Sequence, residues 1–172
     1  MEDKYINFNE KRMFIFGELV KRYWEGSLKE PKDLDDLAHE ISTKYGFSDN
    51  EMPFIKDHIR IAMGLDPRGD SSFSDELDIV KNFGKISQPV VARIDGPCEF
   101  CDSNPCKCSV FEKYEIPMYS RAKEPAIVND KCLDCGNCVT GCDFGALADK
   151  IEFLPVIDLL KDLDTPVYAA VA

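Results

Sequence analysis

Apolar residues recur through residues 1–88 with the period of an α-helix, and they form two clear stripes. The first stripe consists of Phe16, Leu19, Val20 and Tyr23. The second stripe, which follows Pro31, consists of Leu34, Leu37, Ala38, Ile41 and Tyr45. Each stripe stops at a glycine, Gly26 or Gly46, and a glycine just beyond the last apolar position commonly ends a helix. The pattern therefore predicts two helices that end at these glycines.

A third helix is predicted immediately before Gly64. Ser48 followed by Glu51 is a capping-box pattern, and Pro53 favours a start near Asn50. The apolar face of this helix consists of Met52, Ile55, Ile59, Ala62 and Met63. The cysteine-free first half of the chain is therefore predicted to be helical.

Beyond Gly64 the pattern changes twice. Residues 65–74 are rich in turn formers and predict an exposed connection, after which Ser74 is placed to cap a shorter fourth helix through Phe83. A domain boundary is predicted at residues 87–89, because a short strand then precedes each of two cysteine runs, at residues 89–98 and 125–132.

The chain after the last cysteine carries three predicted elements. Residues 143–150 are similar to the short helix that closes a ferredoxin cluster loop, and residues 156–163 have a helical pattern. The apolar tail at residues 167–172 is strand-like and needs neighbours to bury it. We therefore expect this sequence to be part of a longer polypeptide.

Composition and charge limit the partners and the cellular location that this chain is expected to have. The 32 acidic and 21 basic residues give a formal net charge of -11, which argues against nucleic acid as a partner and favours a basic docking face on a redox partner. The sequence contains neither an apolar run long enough to span a membrane nor a signal-peptide pattern at its start. We expect a cytoplasmic protein that does not contact a membrane.

Eight cysteines form two short runs, and their spacing indicates metal binding. The second run has the C-x2-C-x2-C-x3-C spacing of bacterial ferredoxins and consists of Cys132, Cys135, Cys138 and Cys142. The first run has the spacing C-x2-C-x4-C-x-C and consists of Cys98, Cys101, Cys106 and Cys108. Cysteines this close together in a chain without an export signal favour reduced thiolates over disulfides. The sequence predicts two 4Fe-4S clusters, with a tetrahedral zinc site as the alternative for the first run.

The sequence gives little indication of histidine ligation, nucleotide binding or nucleophilic catalysis. His39 and His58 lie far from every cysteine, and neither is assigned a function beyond a place on the surface or on a helix face. The chain contains neither a glycine-rich nucleotide motif nor a serine–histidine arrangement. No catalytic residue is predicted.

The two cysteine runs, with the segments D-F-G-A-L and V-Y-A-A-V-A that follow them, resemble the electron-relay portion of iron-only (FeFe) hydrogenases, and the spacing of the first run is similar to group B members. This resemblance implies an α+β fold in which a helical N-terminal region precedes a ferredoxin-like dicluster domain. The resemblance covers residues 89–172 and implies a dicluster domain at 89–155 and a linker helix and strand at 156–172 that lead to a missing catalytic domain, whereas residues 1–88, predicted to be helical from their apolar pattern, match only by position. Asp143 departs from the family, since ferredoxins usually carry proline after the last cysteine.

The resemblance further implies a function and a ligand set. The chain is expected to relay single electrons between a soluble carrier such as ferredoxin and the hydrogenase catalytic domain, without a catalytic centre of its own. By analogy with two-cluster ferredoxins, Cys142 would complete the first cluster and Cys108 the second. Two other functions remain open, a self-standing electron carrier or redox-responsive binding module, and a zinc-stabilised interaction protein.

Overall fold

The structure is a computed structural model that describes residues 3–65, 67, 91–94, 136, 139, 147–151 and 153–171. Its helices are α1 (Asp3–Trp24), α2 (Pro31–Tyr45), α3 (Met52–Ala62) and α4 (Leu154–Lys161). A 3-10 turn at Asp49–Glu51 precedes α3. Two strands, β1 (Val91–Arg93) and β2 (Leu147–Asp149), form an antiparallel sheet.

The predicted ends of the first two helices are confirmed. Gly26 follows α1 with φ of 72° and Gly46 follows α2 with φ of 67°, a left-handed conformation that glycine adopts without steric cost. The N–H of Ser27 donates to the carbonyl of Arg22, and that of Phe47 to the carbonyl of Ser42, at 3.1 and 3.0 Å. These bonds satisfy carbonyls that the last helical turns would otherwise leave without partners.

The start of α3 follows the predicted capping pattern. Glu51 Oε2 accepts hydrogen bonds from both the backbone N–H and the hydroxyl of Ser48, each at 2.9 Å. The 3-10 turn occupies the residues that the sequence assigned to the first helical turn, and α3 itself begins at Met52 with Pro53 in its first turn. Lys11 of α1 also forms an ion pair with Glu51, so the cap joins α3 to α1.

One hydrophobic core joins the helices to the sheet. The largest side chains that are fully buried in it include Ile15, Leu19, Leu37, Ile41, Ile55, Ile59, Met63, Ile94 and Leu154. Ala92 of β1 and Ala148 of β2 belong to the same core. The N–H of Ile151 donates to the carbonyl of Ile61 at 3.2 Å, which ties the chain after β2 to the end of α3.

The sheet confirms one predicted strand and corrects one predicted helix. A strand forms within residues 89–98, as predicted, whereas Leu147–Asp149 is a strand and not part of the short helix expected at residues 143–150. In the observed register Val91 faces Asp149, Ala92 faces Ala148 and Arg93 faces Leu147. Pairing with β1 provides backbone hydrogen-bond partners far away in the sequence, and these outweigh the local helical tendency.

The C-terminal helix is held against α1. It begins at Leu154, two positions before the predicted helix, with Pro155 in its first turn. The hydroxyl of Tyr23 donates to Asp158 at 2.7 Å, and Lys161 Nζ donates to the Tyr23 carbonyl at 3.0 Å. Burial and the Asp158 carboxylate raise the pKa of Tyr23, so this hydroxyl keeps its proton.

The tail beyond α4 does not form the predicted strand within residues 167–171. The side chains of Tyr168 and Val171 are 88% and 95% exposed, and none of the described strands pairs with them. A strand needs a neighbour to satisfy its backbone groups.

Three other predicted features lie outside the described residues: the helix at 74–83, the strand at 125–132 and the boundary at 87–89. None of the described helices is long and apolar enough to cross a membrane.

Candidate metal centre

All eight cysteines lie outside the described residues, so the site is characterised by what flanks it. The segment at residues 95–146 contains every cysteine of the chain. It leaves the sheet after Ile94 and returns at Leu147, and Leu147 is the register partner of Arg93. Paired residues of antiparallel strands have Cα atoms about 5 Å apart. Both ends of the cysteine segment therefore start from the same end of the strand pair, where Arg93 faces Leu147.

The anchors of this segment are buried. Ile94 and Leu147 are 0% and 2% exposed, and Val91 and Ala148 on the paired strands are buried with them. Cys98 follows Arg93 by five positions and Cys142 precedes Leu147 by five. Even a fully extended chain of five residues spans only about 18 Å. The first cysteine of the first run and the last cysteine of the second run each lie within that distance of two residues that are paired in the sheet.

A tight turn is described inside the second cysteine run. The N–H of Val139 donates to the carbonyl of Gly136 at 2.9 Å. Gly136 has φ of 71°, which side chains with a Cβ adopt only with strain. Cys135 and Cys138 are separated by the same three positions as the bonded pair. A left-handed glycine and a hydrogen bond across three positions are compatible with a loop whose thiolates converge on one cluster.

The described residues contain no other candidate metal site. Among them, no group of three or more histidine, cysteine, aspartate or glutamate side chains is placed to hold a metal ion. His39 is exposed on α2, as predicted for a surface residue, whereas His58 is buried on α3 and only 4% exposed. Within the described part of the chain, the donor set for a metal is not supplied by histidine. The cysteines remain the candidate ligands.

Ion pairs connect the helices to one another and α1 to the sheet. Arg12 of α1 lies 3.9 Å from the carboxylate of Asp149 on β2. Arg22 of α1 pairs with Glu40 of α2, and Lys56 of α3 pairs with Asp35 of α2. Side chains in these pairs are partly exposed, so each contributes at most about 1 kcal/mol. The first of them connects α1 to β2, and the other two connect α2 to its neighbouring helices.

A cleft beside the sheet was not predicted from the sequence. The cleft has a volume of about 430 Å³ and lies between α1, α3 and β2, with His58, Arg12 and Asp149 as its polar lining. Phe54, His58 and Ile61 recur at helical spacing on α3, which was the available signal that His58 faces inward. The ring of Phe54 meets that of His58 edge-on, with centroids 4.3 Å apart.

Comparison of the chain with protein-family models, with curated proteins and with solved structures finds no match.

Proposed function

We propose that this protein is an iron–sulfur electron relay that binds two 4Fe-4S clusters through its eight cysteines. The observation that carries the proposal is the ferredoxin spacing of Cys132, Cys135, Cys138 and Cys142 within a segment whose two ends are paired in one sheet. The proposed partners are a soluble carrier such as ferredoxin and the catalytic domain of a group B FeFe hydrogenase. The proposed location is the cytoplasm, where thiols stay reduced.

The cysteine set fits the clusters in number and in type. Four thiolates satisfy one cubane, so eight suffice for two. Cys98 and Cys142 each lie five positions from residues that are paired in the sheet, which is compatible with the shared ligation expected from two-cluster ferredoxins, in which Cys142 joins Cys98, Cys101 and Cys106. Cys108 would then join Cys132, Cys135 and Cys138.

The roles of the chain's own residues follow from this assignment. When bound, the clusters supply sites that gain or lose one electron at a time. The thiolates hold them, and the buried anchors Ile94 and Leu147 keep the ends of the cysteine segment in place, so little reorganisation accompanies a change of charge. Backbone N–H groups near Gly136, which has no side chain, would donate to cluster or cysteine sulfur and raise the potential.

Metal analysis tests the proposal most directly. Anaerobically purified protein should contain about eight iron and eight acid-labile sulfide per chain, and dithionite should produce interacting S = 1/2 EPR signals. About four iron with zinc would limit the relay to the second run. Zinc without iron would replace the proposal with a zinc-stabilised interaction protein.

Matched variants separate the two runs. Cys135→Ser should remove the cluster of the second run, and Cys101→Ser that of the first, each with loss of about half of the iron. Equal iron content in Cys135→Ser and in the unchanged protein would refute the assignment. Electron transfer from reduced ferredoxin to the isolated chain, followed by absorbance bleaching, distinguishes a competent relay from a protein that only stores the clusters.

A further inference from the structure

His58 is a titratable residue that is buried where α1, α3 and β2 meet. It lies on α3 and is 4% exposed, and its ring meets that of Phe54 edge-on, with centroids 4.3 Å apart. The surface cleft between the three elements is lined by His58, by Arg12 of α1 and by Ala148 of β2. Nε2 of His58 is fully buried and has no hydrogen-bond partner among the described residues. The buried imidazole thus lies beside β2 with one ring nitrogen unbonded.

A proton added to this imidazole would lack an acceptor. Both ring nitrogens of the cation are donors, and Nε2 has no partner among the described residues. An unpaired buried charge costs far more than a neutral polar group, so such a group stays neutral until the structure opens to water. Burial and the Arg12 guanidinium hold the pKa of His58 well below its usual range. The closed junction of α1, α3 and β2 therefore contains neutral His58.

The neighbouring elements bring further charges close to α3. On α1, Arg12 acts on the imidazole as a positive charge, and its guanidinium lies 3.9 Å from the carboxylate of Asp149 on β2. Lys150, which follows β2, is a further buried cation. The 3-10 turn before α3 carries Glu51, which pairs with a lysine of α1. A proton on His58 would therefore be repelled by Arg12, while these two carboxylates already have cationic partners.

The charged residues of α3 itself do not offset such a proton. Lys56 pairs with Asp35 of α2, which connects α3 to that helix. Asp57 and Arg60 lie one and two positions from His58, and residues at these spacings do not face each other on a helix. We therefore expect Arg12 to dominate the electrostatic environment of a protonated His58.

The two-stranded sheet is the part of this junction that opens most easily. It consists of three residue pairs, and a sheet of two strands is marginally stable alone. The chain after β2 is tied to α3 by the hydrogen bond from the N–H of Ile151 to the carbonyl of Ile61, at 3.2 Å. Regions with few buried contacts open at a lower free-energy cost than a helical core. Separation of β2 would hydrate His58 with less loss of packing than unfolding of the helices.

We propose that His58 is an acid-sensitive switch: while it is neutral β2 stays packed against α3, and its protonation stabilises a state in which β2 has separated from α3 and the helices remain folded. Because β2 follows the cysteine segment, this state would also release one end of that segment. This consequence for the clusters rests on the proposed function, whereas the opening itself does not.

Hydrogen exchange of the full chain as purified measures the opening at the amide of Ile151. Each rate is divided by the intrinsic rate at the same pH, under conditions where reclosing is faster than exchange. The protection factor of Ile151 should fall about tenfold from pH 7.5 to 5.5, since the open state binds a proton with a pKa of about 6.5. Ile41, which is fully buried on α2, should be better protected than Ile151 at every pH, because its exchange does not follow the opening of the sheet.

Substitution of the histidines identifies the group that titrates. His58→Gln cannot take up the proton, so the tenfold decrease at Ile151 should be absent from this variant. His39→Gln, at an exposed position of α2, should retain it. Should His58→Gln fail to fold, the His58 ring-proton shift in the unchanged chain provides the test by NMR, and the signal of the closed state should stay that of neutral imidazole down to pH 5.5.

Three results would overturn the proposal. The first is the same acid dependence at Ile151 in His58→Gln and in the unchanged chain. The second is equal protection of Ile151 and Ile41, which would mean that the chain opens as one unit. The third is titration of the closed-state His58 signal near pH 6.5. Iron is measured in each sample, and the comparison of variants holds with or without bound metal, so this proposal and the proposed function fail independently.

Discussion

The helical region and the two-stranded sheet differ in where their stabilising contacts originate. Helices α1 to α3 lie within residues 3–62, carry their own end signals and bury Leu19, Ile55 and Ile59 completely. The sheet consists of three residue pairs, and it joins strands separated by the whole cysteine segment. A two-stranded sheet is at best marginally stable alone, and closing a long loop costs entropy. The helices are thus stabilised by contacts close in the sequence, whereas the sheet depends on contacts between distant parts of the chain, including its packing against the helical core.

Removal of iron should produce the largest difference between the two regions. The proposed clusters would cross-link residues 95–146 and reduce the entropy cost of bringing β1 and β2 together, so their loss should lower the free energy of local opening at the sheet by about 3 kcal/mol or more. Hydrogen exchange would measure this at the amides of Ala92 and Ala148, with Leu19 and Ile59 as helical controls. Equal loss of protection at all four amides would show that the two regions unfold together.

A core substitution in α3 should have the next largest effect. Ile59 is 0% exposed, and Ile59→Ala should lower the free energy of unfolding by about 3 kcal/mol through lost burial and a residual cavity. Leu160 on α4 is 49% exposed, so Leu160→Ala should cost less than about 1 kcal/mol. Urea unfolding followed by circular dichroism measures both variants. Similar losses for the two would mean that α4 is as deeply packed in solution as α3.

Protonation of His58 should destabilise the fold in acid. The pKa of this buried imidazole is lowered in the folded state, whereas the unfolded chain binds the proton near pH 6.5. Stability from this group is therefore present above about pH 6.5 and decreases progressively as the pH falls below it. His58→Gln should remove this part of the pH dependence, and His39→Gln should leave it intact. Urea midpoints between pH 5 and 7.5 provide the measurement, and the same acid sensitivity in both variants would contradict the assignment.

The same substitution at two glycines should change stability in opposite directions. Gly136→Ala places a Cβ at φ of 71° and should cost about 1 kcal/mol, with loss of iron from the second run. Gly17 lies inside α1, and a Cβ added there would meet no neighbouring side chain within 4 Å, so Gly17→Ala should stabilise by about 0.5–1 kcal/mol. Thermal melting and iron content measure both. A stable Gly136→Ala variant with full iron would show that cluster binding does not need the left-handed conformation of Gly136.

The sequence predicted the helices well because their signals are local. Stop signals at Gly26 and Gly46 and the cap at Ser48 each involve residues within a few positions of one another. The pairing of Ala92 with Ala148 joins distant parts of the chain, and nothing local distinguishes Leu147–Asp149 from the end of a short helix. The inward orientation of His58 likewise depends on β2 lying beside α3, a tertiary contact. The cysteine ligands were predicted from spacing alone, and they stay a prediction.

The register of the sheet also has an evolutionary consequence. Since Arg93 and Leu147 are direct partners, a hairpin turn of a few residues is enough to join β1 to β2 in place of residues 95–146. A gene carrying such a deletion would encode the helical scaffold and its sheet without a single cysteine. Insertion of a different segment between β1 and β2 would add different functional residues while the helices and the sheet stay the same. The cysteine segment is thus positioned as an exchangeable cassette, and its history can differ from that of the helices that support it.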